Sequence, residues 1–466
     1  MLKTIAIVGT VAMSSSAFAL SLSEYLAQVE GQSLRYKQSQ AQAEGSRLVS
    51  READLLTSPN FFLEARKSFD TSLGTPPMSM YDRYDNDVYR AGISQQFSFG
   101  LETKFSYAVT KNAYEGSTFN PDKYWDAKPS VELTMPLWAN GFGSSIKAQE
   151  ELTRQQNKAD EYANLALSQN LLIEAEVAYW QLSASQERVK IQEQALSAGN
   201  NILSYVQKQK QKNLGESADV LQANALVEAD KLQLQQAVNE RLRLSRNFNK
   251  YLNKNADAPV PGLDSLNYNY LETLKIPDQR PGDRLDVKAS RAQAALAKAS
   301  SDLILERNKP TLNLVGGYTL QGRGTETSKA FENSAKTNHD RGYVGVMFQL
   351  PLNFKAVADA KAGAQRLKDS ADINEQNLLY TQEQDWIDLK QSLSESKETL
   401  KLSRTMESAQ KSKLENERSR LRQGRTTTYQ VLLFEQDYTQ AQASRVLAAT
   451  QIIALESQLK LYQGEK

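Results

Sequence analysis

The sequence predicts a mixed α+β membrane protein in which groups of strands alternate with very long helices, and in which this order occurs twice. The segment ELTMPLWANGFG has apolar residues at alternate positions, then Pro136-Leu137, then a long helical run. The segment VGVMFQLPLNFKA repeats that order at Pro351-Leu352. In addition, none of the 12 prolines lies in 137–258 or after 351. We therefore expect two internal repeats, each leading from strands through Pro-Leu into a helix.

Each of the two proline-free stretches is predicted to fold as an antiparallel helical hairpin. Ala, Gln, Leu, Lys and Glu dominate both stretches, and these residues favour helix. One glycine lies deep inside each stretch, Gly215 and Gly424, and we expect both to follow a helix end with φ > 0. Ser217 or Thr427 is a candidate N-cap for the helix that follows. The predicted arms are 144–213 and 217–253 in the first hairpin and 356–422 and 427–463 in the second. Their narrow apolar seams are typical of coiled-coil packing.

The repeat also extends upstream of the strands. A segment that ends at Pro59 matches one that ends at Pro310, with Leu34 aligned to Leu285 and Ala43 aligned to Ala294. The chain thus divides into a first repeat at 20–253 with strands in 59–138, a proline-rich linker at 254–283, and a second repeat at 284–466 with strands in 310–352.

The N-terminus has the pattern of a secretory signal peptide. Lys3 precedes the apolar run 5–13, and Ala17-Phe18-Ala19 is a small–x–small cleavage signal, so we expect 1–19 to be removed before Leu20. A buried N-terminal helix is the alternative. The absence of cysteine excludes disulfides, thiolate metal sites and a lipidated cysteine. The net charge of +1 gives no indication of a nucleic-acid partner. The mean hydropathy is −0.57, and we expect no transmembrane helix after the signal peptide.

Six segments have the alternating pattern of strands about ten residues long. They are 60–69, 89–99, 101–110, 129–138, 311–320 and 342–352. Two aromatic-rich polar loops at 71–88 and 111–128 alternate with a tight turn at Gly100, which is typical of an outer-membrane β-barrel. The candidate aromatic girdle at the membrane interface comprises Tyr81, Tyr84, Tyr89, Tyr124 and Trp125. Loop aromatics with no membrane role are the alternative.

Six strands are too few to close a barrel, because the smallest barrel has eight. The number falls to four if the hairpin at 89–110 lies outside the barrel wall. An open sheet edge cannot face lipid, so we expect the strands to be shared between protomers. No catalytic, metal or cofactor site is predicted. His339 is the only histidine, and it lies in a polar loop without partner ligands at metal-binding spacing.

Over essentially the whole mature chain, this order of elements resembles the TolC-type outer-membrane efflux protein family. The resemblance rests on the duplicated units, the strand opening PTLNLVGGY, the two Pro-Leu exits and the tips NLGESADVL and RQGRTTTYQVL. It implies a homotrimer with a shared outer-membrane barrel of 4–6 strands per protomer, continuous with a periplasmic α-helical barrel. It also implies a passive exit duct of a tripartite efflux or type I secretion system, with a periplasmic adaptor and an inner-membrane pump as partners.

The resemblance also implies the positions of functional residues. The strand-to-helix exits are Pro136, Leu137, Pro351 and Leu352. The tips, which dock the adaptor and close the tunnel, match Leu214, Gly215, Glu216, Gln423, Gly424 and Arg425. Only the glycines fit the Val-Gly-Leu or Val-Gly-Thr motif of the family. The entrance gate matches Asp219, Gln430 and Leu433, so the second repeat lacks the aspartates of the usual acidic ring.

Two other functions remain open from the sequence. A periplasmic or surface coiled-coil structural protein would account for the helices but not for strands with Pro-Leu exits. A barrel adhesin without transport activity would account for the strands but not for the duplicated hairpins. The transported substrate has no signature in the sequence.

Overall fold

The structure is a computed structural model that describes residues 19–72, 81–336 and 339–463. The predicted signal peptide lies outside the described residues except for Ala19. The chain divides into two compact units. The first, here called the helical unit, comprises Met1–Ala43, Tyr162–Val287 and Leu379–Lys466, and the second, the sheet unit, comprises Glu44–Glu161 and Lys288–Leu378.

The helices include two that are far longer than those of ordinary globular proteins. In chain order the helices are α1 (Leu22–Gln32), α2 (Leu34–Val49), α3 (Ser144–Gln211), α4 (Ser217–Tyr251), α5 (Tyr268–Thr273), α6 (Leu285–Arg307), α7 (Thr327–Ser334), α8 (Phe354–Arg422) and α9 (Thr428–Leu459). Helices α3 and α8 have 68 and 69 residues, and each is roughly 100 Å long at 1.5 Å per residue.

The first core of the helical unit joins α1 to α3 and α4. Tyr25 of α1 and Phe248 of α4 stack with ring centroids 4.2 Å apart, and Tyr179 of α3 lies 5.6 Å from Tyr25. The Tyr179 hydroxyl donates a hydrogen bond to the carbonyl of Leu20 at 2.5 Å, and the Leu20 N–H donates to Gly262 at 2.8 Å. The predicted first residue of the mature chain is therefore held against this core.

The second core of the helical unit includes the linker, which does more than connect the repeats. Trp386 and Leu393 of α8 and Ile452 of α9 are fully buried in this core. The linker contributes three buried leucines: Leu266, Leu271 and Leu274. Burying these side chains stabilises the unit, since each fully buried leucine contributes about 1.5–3 kcal/mol.

The sheet unit contains one antiparallel sheet. Its strands are β1 (Asn60–Asp70), β2 (Arg83–Gln96), β3 (Glu102–Glu115), β4 (Lys123–Pro136), β5 (Thr311–Leu320), β6 (Gly322–Gly324) and β7 (Asp340–Gln349). The strand order is β1-β2-β3-β4-β5-β7, and the short β6 pairs with β4. Strand β4, from the first half of the chain, pairs directly with β5 from the second, so the two groups of strands form one sheet.

Three strands are longer than the sequence pattern predicts. Strand β2 begins at Arg83, β3 extends to Glu115 and β4 begins at Lys123, so the predicted loops 71–88 and 111–128 are too long. The alternation is lost at these strand ends because both faces carry polar residues there, for example Asp85 and Asn86. Positions 73–80 of the first predicted loop lie outside the described residues.

Candidate functional site

The two faces of the sheet have opposite chemistry, because successive side chains of a strand point to opposite sides. On one face, here called the apolar face, large side chains are exposed, with Phe61 at 72%, Leu63 at 74% and Val344 at 82% of their full surface. Register places these further residues on the apolar face: Ile93, Phe105, Val131, Leu133, Leu314, Val346 and Phe348.

The opposite face, here called the polar face, carries ion pairs and hydroxyl contacts. Arg323 donates to both carboxylate oxygens of Asp126, at 2.8 and 3.1 Å. Arg90 lies 3.2 Å from Glu64. A sheet with one exposed apolar face and one charged face fits the wall of a membrane barrel, with its polar face toward a water-filled lumen.

The aromatic residues predicted to form a girdle are divided between the two faces. Register places Tyr89 and Trp125 on the apolar face, as a girdle requires. Tyr84 and Tyr124 instead lie on the polar face with Tyr114, and the Tyr84 and Tyr114 rings stack at 4.7 Å. Tyr81 packs on the same cluster, 5.2 Å from Tyr114. The girdle prediction is therefore wrong for Tyr84 and Tyr124, because their strand positions direct them to the polar face, and for Tyr81, because its ring packs on this polar-face cluster.

The first strand-to-helix exit is held by a capping asparagine. Strand β4 ends at Pro136, and the N–H of Leu137 donates to the carbonyl of Leu312 at 2.7 Å. The side-chain oxygen of Asn140 accepts hydrogen bonds from the N–H groups of Ser145 at 2.9 Å and Ile146 at 3.3 Å. These bonds satisfy the free N–H groups at the start of α3.

The second exit also has a capping asparagine, but there it directly precedes the helix, whereas the turn Gly141–Gly143 separates Asn140 from α3. Strand β7 ends at Gln349, and Pro351-Leu352 lie between it and α8. The side-chain oxygen of Asn353 accepts a hydrogen bond from the N–H of Ala356 at 3.1 Å. The sequence analysis missed both caps, although an asparagine within four residues of each Pro-Leu pair is the signal that identifies them.

The two helical tips close in the same way, but not at the glycines that the sequence pattern pairs. In the second tip Gly424 has φ of +69°, as predicted, and the N–H of Arg425 donates to the carbonyl of Arg420 at 2.9 Å. In the first tip Asn213 takes this position, with φ of +57°, and the N–H of Leu214 donates to the carbonyl of Gln209 at 2.9 Å. Gly215 is not among the described residues with positive φ, so that prediction is wrong. Asparagine tolerates the left-handed region, and it replaces glycine there.

The helices after the tips start at different caps. Thr427 is the N-cap of α9, as predicted, and its hydroxyl accepts from the N–H of Gln430 at 3.4 Å. In the first tip Glu216 takes the N-cap position without a side-chain bond, and Ser217 is the first residue of α4, so the expected Ser217 cap is wrong. The two tip charges, Glu216 and Arg425, make no ion pair with the described part of the chain.

Of the three predicted gate residues, Asp219 and Gln430 occupy the first turns of α4 and α9, and Leu433 is partly exposed. They form no acidic cluster. A nearby acidic group that the sequence analysis missed lies further along the same helices. Glu435 of α9 is only 5% exposed, and Arg418 of α8 donates to both its carboxylate oxygens, at 2.6 and 2.8 Å.

Asp230 of α4 belongs to the same acidic group. Burial, followed by the negative charge of Glu435, raises the pKa of Asp230 to about 6. Burial also raises the pKa of Glu435, against the opposing effect of Arg418. Arg418 and Glu435 line a cavity of about 780 Å³ between α3, α8 and α9, together with Tyr205 and Tyr438. The signal in the sequence is a single glutamate directly after three apolar residues, LLFEQ, which a charge count does not distinguish from a solvated one.

Residues 19–72, 81–336 and 339–463 contain no group of three His, Asp or Glu side chains arranged to hold a metal ion. In the same part of the chain, no helix combines the length and apolar character needed to cross a membrane.

Comparison with solved structures identifies the fold. CusC, described for transmembrane channel formation, matches with a TM-score of 0.68 at 13% identity over 98% of this chain and 96% of CusC. VceC, an outer membrane protein of Vibrio cholerae, matches with a TM-score of 0.66 and 14% sequence identity, over 95% of this chain and 96% of VceC. The open-state MtrE outer membrane channel of Neisseria gonorrhoeae matches with a TM-score of 0.66 and 14% sequence identity, over 95% of this chain and 89% of MtrE. No protein-family model and no curated protein matches the chain by sequence.

The chain therefore has the fold of outer-membrane channel proteins. The expected resemblance to the TolC-type family is confirmed at the level of the fold. Two of the similar structures, CmeC of Campylobacter jejuni and MtrE, are described as outer membrane channels.

Proposed function

We propose that the chain is one protomer of a homotrimeric outer-membrane channel, a passive exit duct through which an inner-membrane pump drives its substrates. The strands lie in the outer membrane, the helices extend into the periplasm, and a periplasmic adaptor connects the channel to the pump. The observation that carries the proposal is a single sheet with one exposed apolar face, one polar face and two open edges. The apolar face meets lipid, and the polar face lines a water-filled path.

The open edges support assembly from several copies. Within the described residues β1 pairs only with β2 and β7 only with β5, so the outer edge of each carries unpaired backbone groups. Such an edge in lipid costs several kcal/mol for each unsatisfied group. Pairing β7 of one copy with β1 of the next removes both edges. The proposal takes all six long strands into the wall, so three copies contribute three times six, or 18, strands.

The tips provide the inner end of the proposed duct. We place adaptor docking and closure at Leu214, Gly215 and Glu216 of the first tip and at Gln423, Gly424 and Arg425 of the second. Leu214 is 74% exposed, which suits a contact surface for another protein. Asp219, Gln430 and Leu433 follow directly and line the proposed entrance. The acidic ring of the resembled family has no counterpart at Gln430 and Leu433.

Disulfide crosslinking between the sheet edges tests this assembly, because the chain has no cysteine of its own. One cysteine is placed on β1, at Leu63 or Ala65, and one on β7, at Val344 or Val346. We expect oxidation of a correctly registered pair to give linked dimers and trimers in a denaturing gel, and purified protein in mild detergent to have the mass of three chains.

Matched single-cysteine variants are the control for random collision. A folded protein that remains monomeric in mild detergent, and whose edge cysteines never link in any register, would contradict the proposed channel.

A further inference from the structure

A band of charged residues borders the apolar face at the loop end of β1 to β4. Register sets Lys67 of β1 opposite Asp87 of β2, and Asp87 opposite Lys111 of β3. In the next row of side chains on the same face, Asp85 is opposite Ala113, and Ala113 is opposite Lys123 of β4. Neighbouring strands lie about 4.8 Å apart, so Lys67 and Lys111 are roughly 10 Å apart. Lys111 and Lys123 are diagonal neighbours at about 7–8 Å.

This band has an excess of positive charge. Its cations are Arg83, Lys67, Lys111 and Lys123, and its carboxylates are Asp85, Asp87 and Glu115, the last of which is opposite Arg83. Arg83 lies 2.9 Å from Asp85, and Lys111 lies 3.8 Å from Asp87. Lys67 and Lys123 make no ion pair with the described residues. Four cations against three carboxylates leave a net charge of +1 on this part of the apolar face.

An apolar groove lies beyond the charged band on the same face. It has a volume of about 500 Å³, and its lining includes Phe61, Ala91, Ile93, Phe105, Tyr107 and Val131. Between groove and band the face carries one row of uncharged side chains, which comprises Ala65, Tyr89, Val109 and Ala127. From Lys111 to Tyr107 is four residues, or roughly 13 Å along β3. The hydrocarbon core of a bilayer is about 30 Å thick, and one acyl chain spans about half of it. The distance from Lys111 to Tyr107 is close to that half-thickness.

Helix α7 packs on this face beside the groove. Its Phe331 ring stacks on Tyr107 at 5.3 Å, and Ser334 Oγ lies 2.7 Å from the Tyr107 hydroxyl. Gly322 of β6 permits this approach, because a Cβ there would lie 2.1 Å from the backbone nitrogen of Ser334. The charges of Glu326, Lys329, Glu332 and Lys336 cancel, so the α7 segment adds a wall but no net charge.

We propose that this face is a binding site for a phosphate-bearing lipid of the outer leaflet. Its phosphate groups contact Lys67, Lys111 and Lys123, and one acyl chain occupies the groove beside Tyr107. The inference rests on the proposed function, which turns the apolar face toward the bilayer. Charge complementarity selects the occupant, since an anionic headgroup neutralises the net positive band, with Lys67 and Lys123 not engaged in ion pairs with the described residues, while its chain fills the apolar groove.

Lipid titration of the purified full-length protein tests the site. The probes are the diphosphorylated glycolipid lipid A and the same lipid without phosphate, added to delipidated protein and counted by native mass spectrometry. We expect the phosphorylated probe to bind at least about tenfold more tightly, and this preference to be lost in the double variant Lys67→Glu with Lys123→Glu. The matched control, Lys104→Glu with Lys128→Glu, reverses two lysines on the polar face of β3 and β4 and retains the preference.

A second variant tests the groove. Ala91→Trp fills part of it, and we expect both probes to bind more weakly while the mass of the assembly is unchanged. Equal binding of the two probes by the original protein, or an unaltered preference in the Lys67–Lys123 double variant, overturns the site. So does a protein that occupies this face in place of lipid. The proposed function is tested by other measurements, the mass of the assembly in detergent and its conductance. A protein without the mass of three chains or without conductance would contradict the proposed function, whatever its lipid preference.

Discussion

At the scale of single residues, the tips depend on two positions in the left-handed region, Gly424 and Asn213. We expect Gly424→Ala and Asn213→Ala each to lower the free energy of unfolding by about 1 kcal/mol, because a Cβ is disfavoured at positive φ and alanine lacks the local hydrogen bonding of asparagine. The measurement is thermal unfolding followed by circular dichroism. Gly363→Ala is the control: Gly363 lies in α8 with nothing within 4 Å of a new Cβ, and this change is expected to stabilise. Equal effects at Gly424 and Gly363 would contradict the tip geometry.

Asp230 gives the helical unit a specific pH dependence. Its pKa is raised from 3.8 to about 6, so folding disfavours its ionised form, and stability is lost as the pH rises from about 4 through 6. We expect Asp230→Asn to raise the free energy of unfolding at pH 7.5 by about 1 kcal/mol, after allowance for solvent screening, and to have little effect near pH 4. Thermal unfolding of both proteins across this range measures the difference. A gain that is larger at pH 4 than at pH 7.5 would contradict the assignment.

At the scale of elements, the first exit is fixed by the tight turn between β2 and β3. Gly143 has φ of +77°, and a Cβ there would lie 2.0 Å from the carbonyl oxygen of Ser98 in that turn. We expect Gly143→Ala to cost at least about 2 kcal/mol, because both the backbone conformation and the overlap are unfavourable. Gly141→Ala, two residues away with nothing within 4 Å, is the matched control and is expected to have a small effect. Urea unfolding of both variants provides the comparison.

The opposite charges of the two tips support a prediction about closure. Neither Glu216 nor Arg425 pairs within the described chain, so in the proposed trimer we expect any pairing to involve a neighbouring copy. We expect Glu216→Ala with Arg425→Ala to increase single-channel conductance, since an exposed pair contributes only about 0–1 kcal/mol and the closed state is easily biased. Unchanged conductance would show that these residues are solvated hairpin turns. A cysteine at Glu216 or Arg425 is expected to capture a periplasmic partner and to resist labelling from outside intact cells.

The elements also show what the sequence can and cannot predict. The start of α3 at Ser144 and the end of α8 at Arg422 follow from residue composition and proline positions, which are local signals. The start of β2 and the end of β3 cannot be predicted from alternation, because the residues there are polar on both faces of the sheet. Gly215 was misassigned because Asn213 can adopt the same backbone conformation. The Asp230–Glu435 group depends on contacts between residues 205 positions apart, which no local pattern contains.

At the scale of the whole molecule, the central claim is that the polar face of the sheet lines a water-filled path shared by several copies. Two observations converge on it: the fold is that of outer-membrane channels, and the sheet of six long strands has two edges that nothing in the described part of the chain pairs with. A structural coiled coil needs no such sheet, and an adhesin needs no continuous lumen.

Electrical recording from planar bilayers tests this claim most directly. Purified full-length protein, with the mass of three chains, is added to one side of the bilayer, and single-channel currents are recorded before and after the Glu216→Ala, Arg425→Ala change. The account predicts discrete, stepwise conductance for the assembled protein, with larger steps for the double variant. Protein that inserts with its strands folded but passes no ionic current, in either form, would contradict the proposed channel.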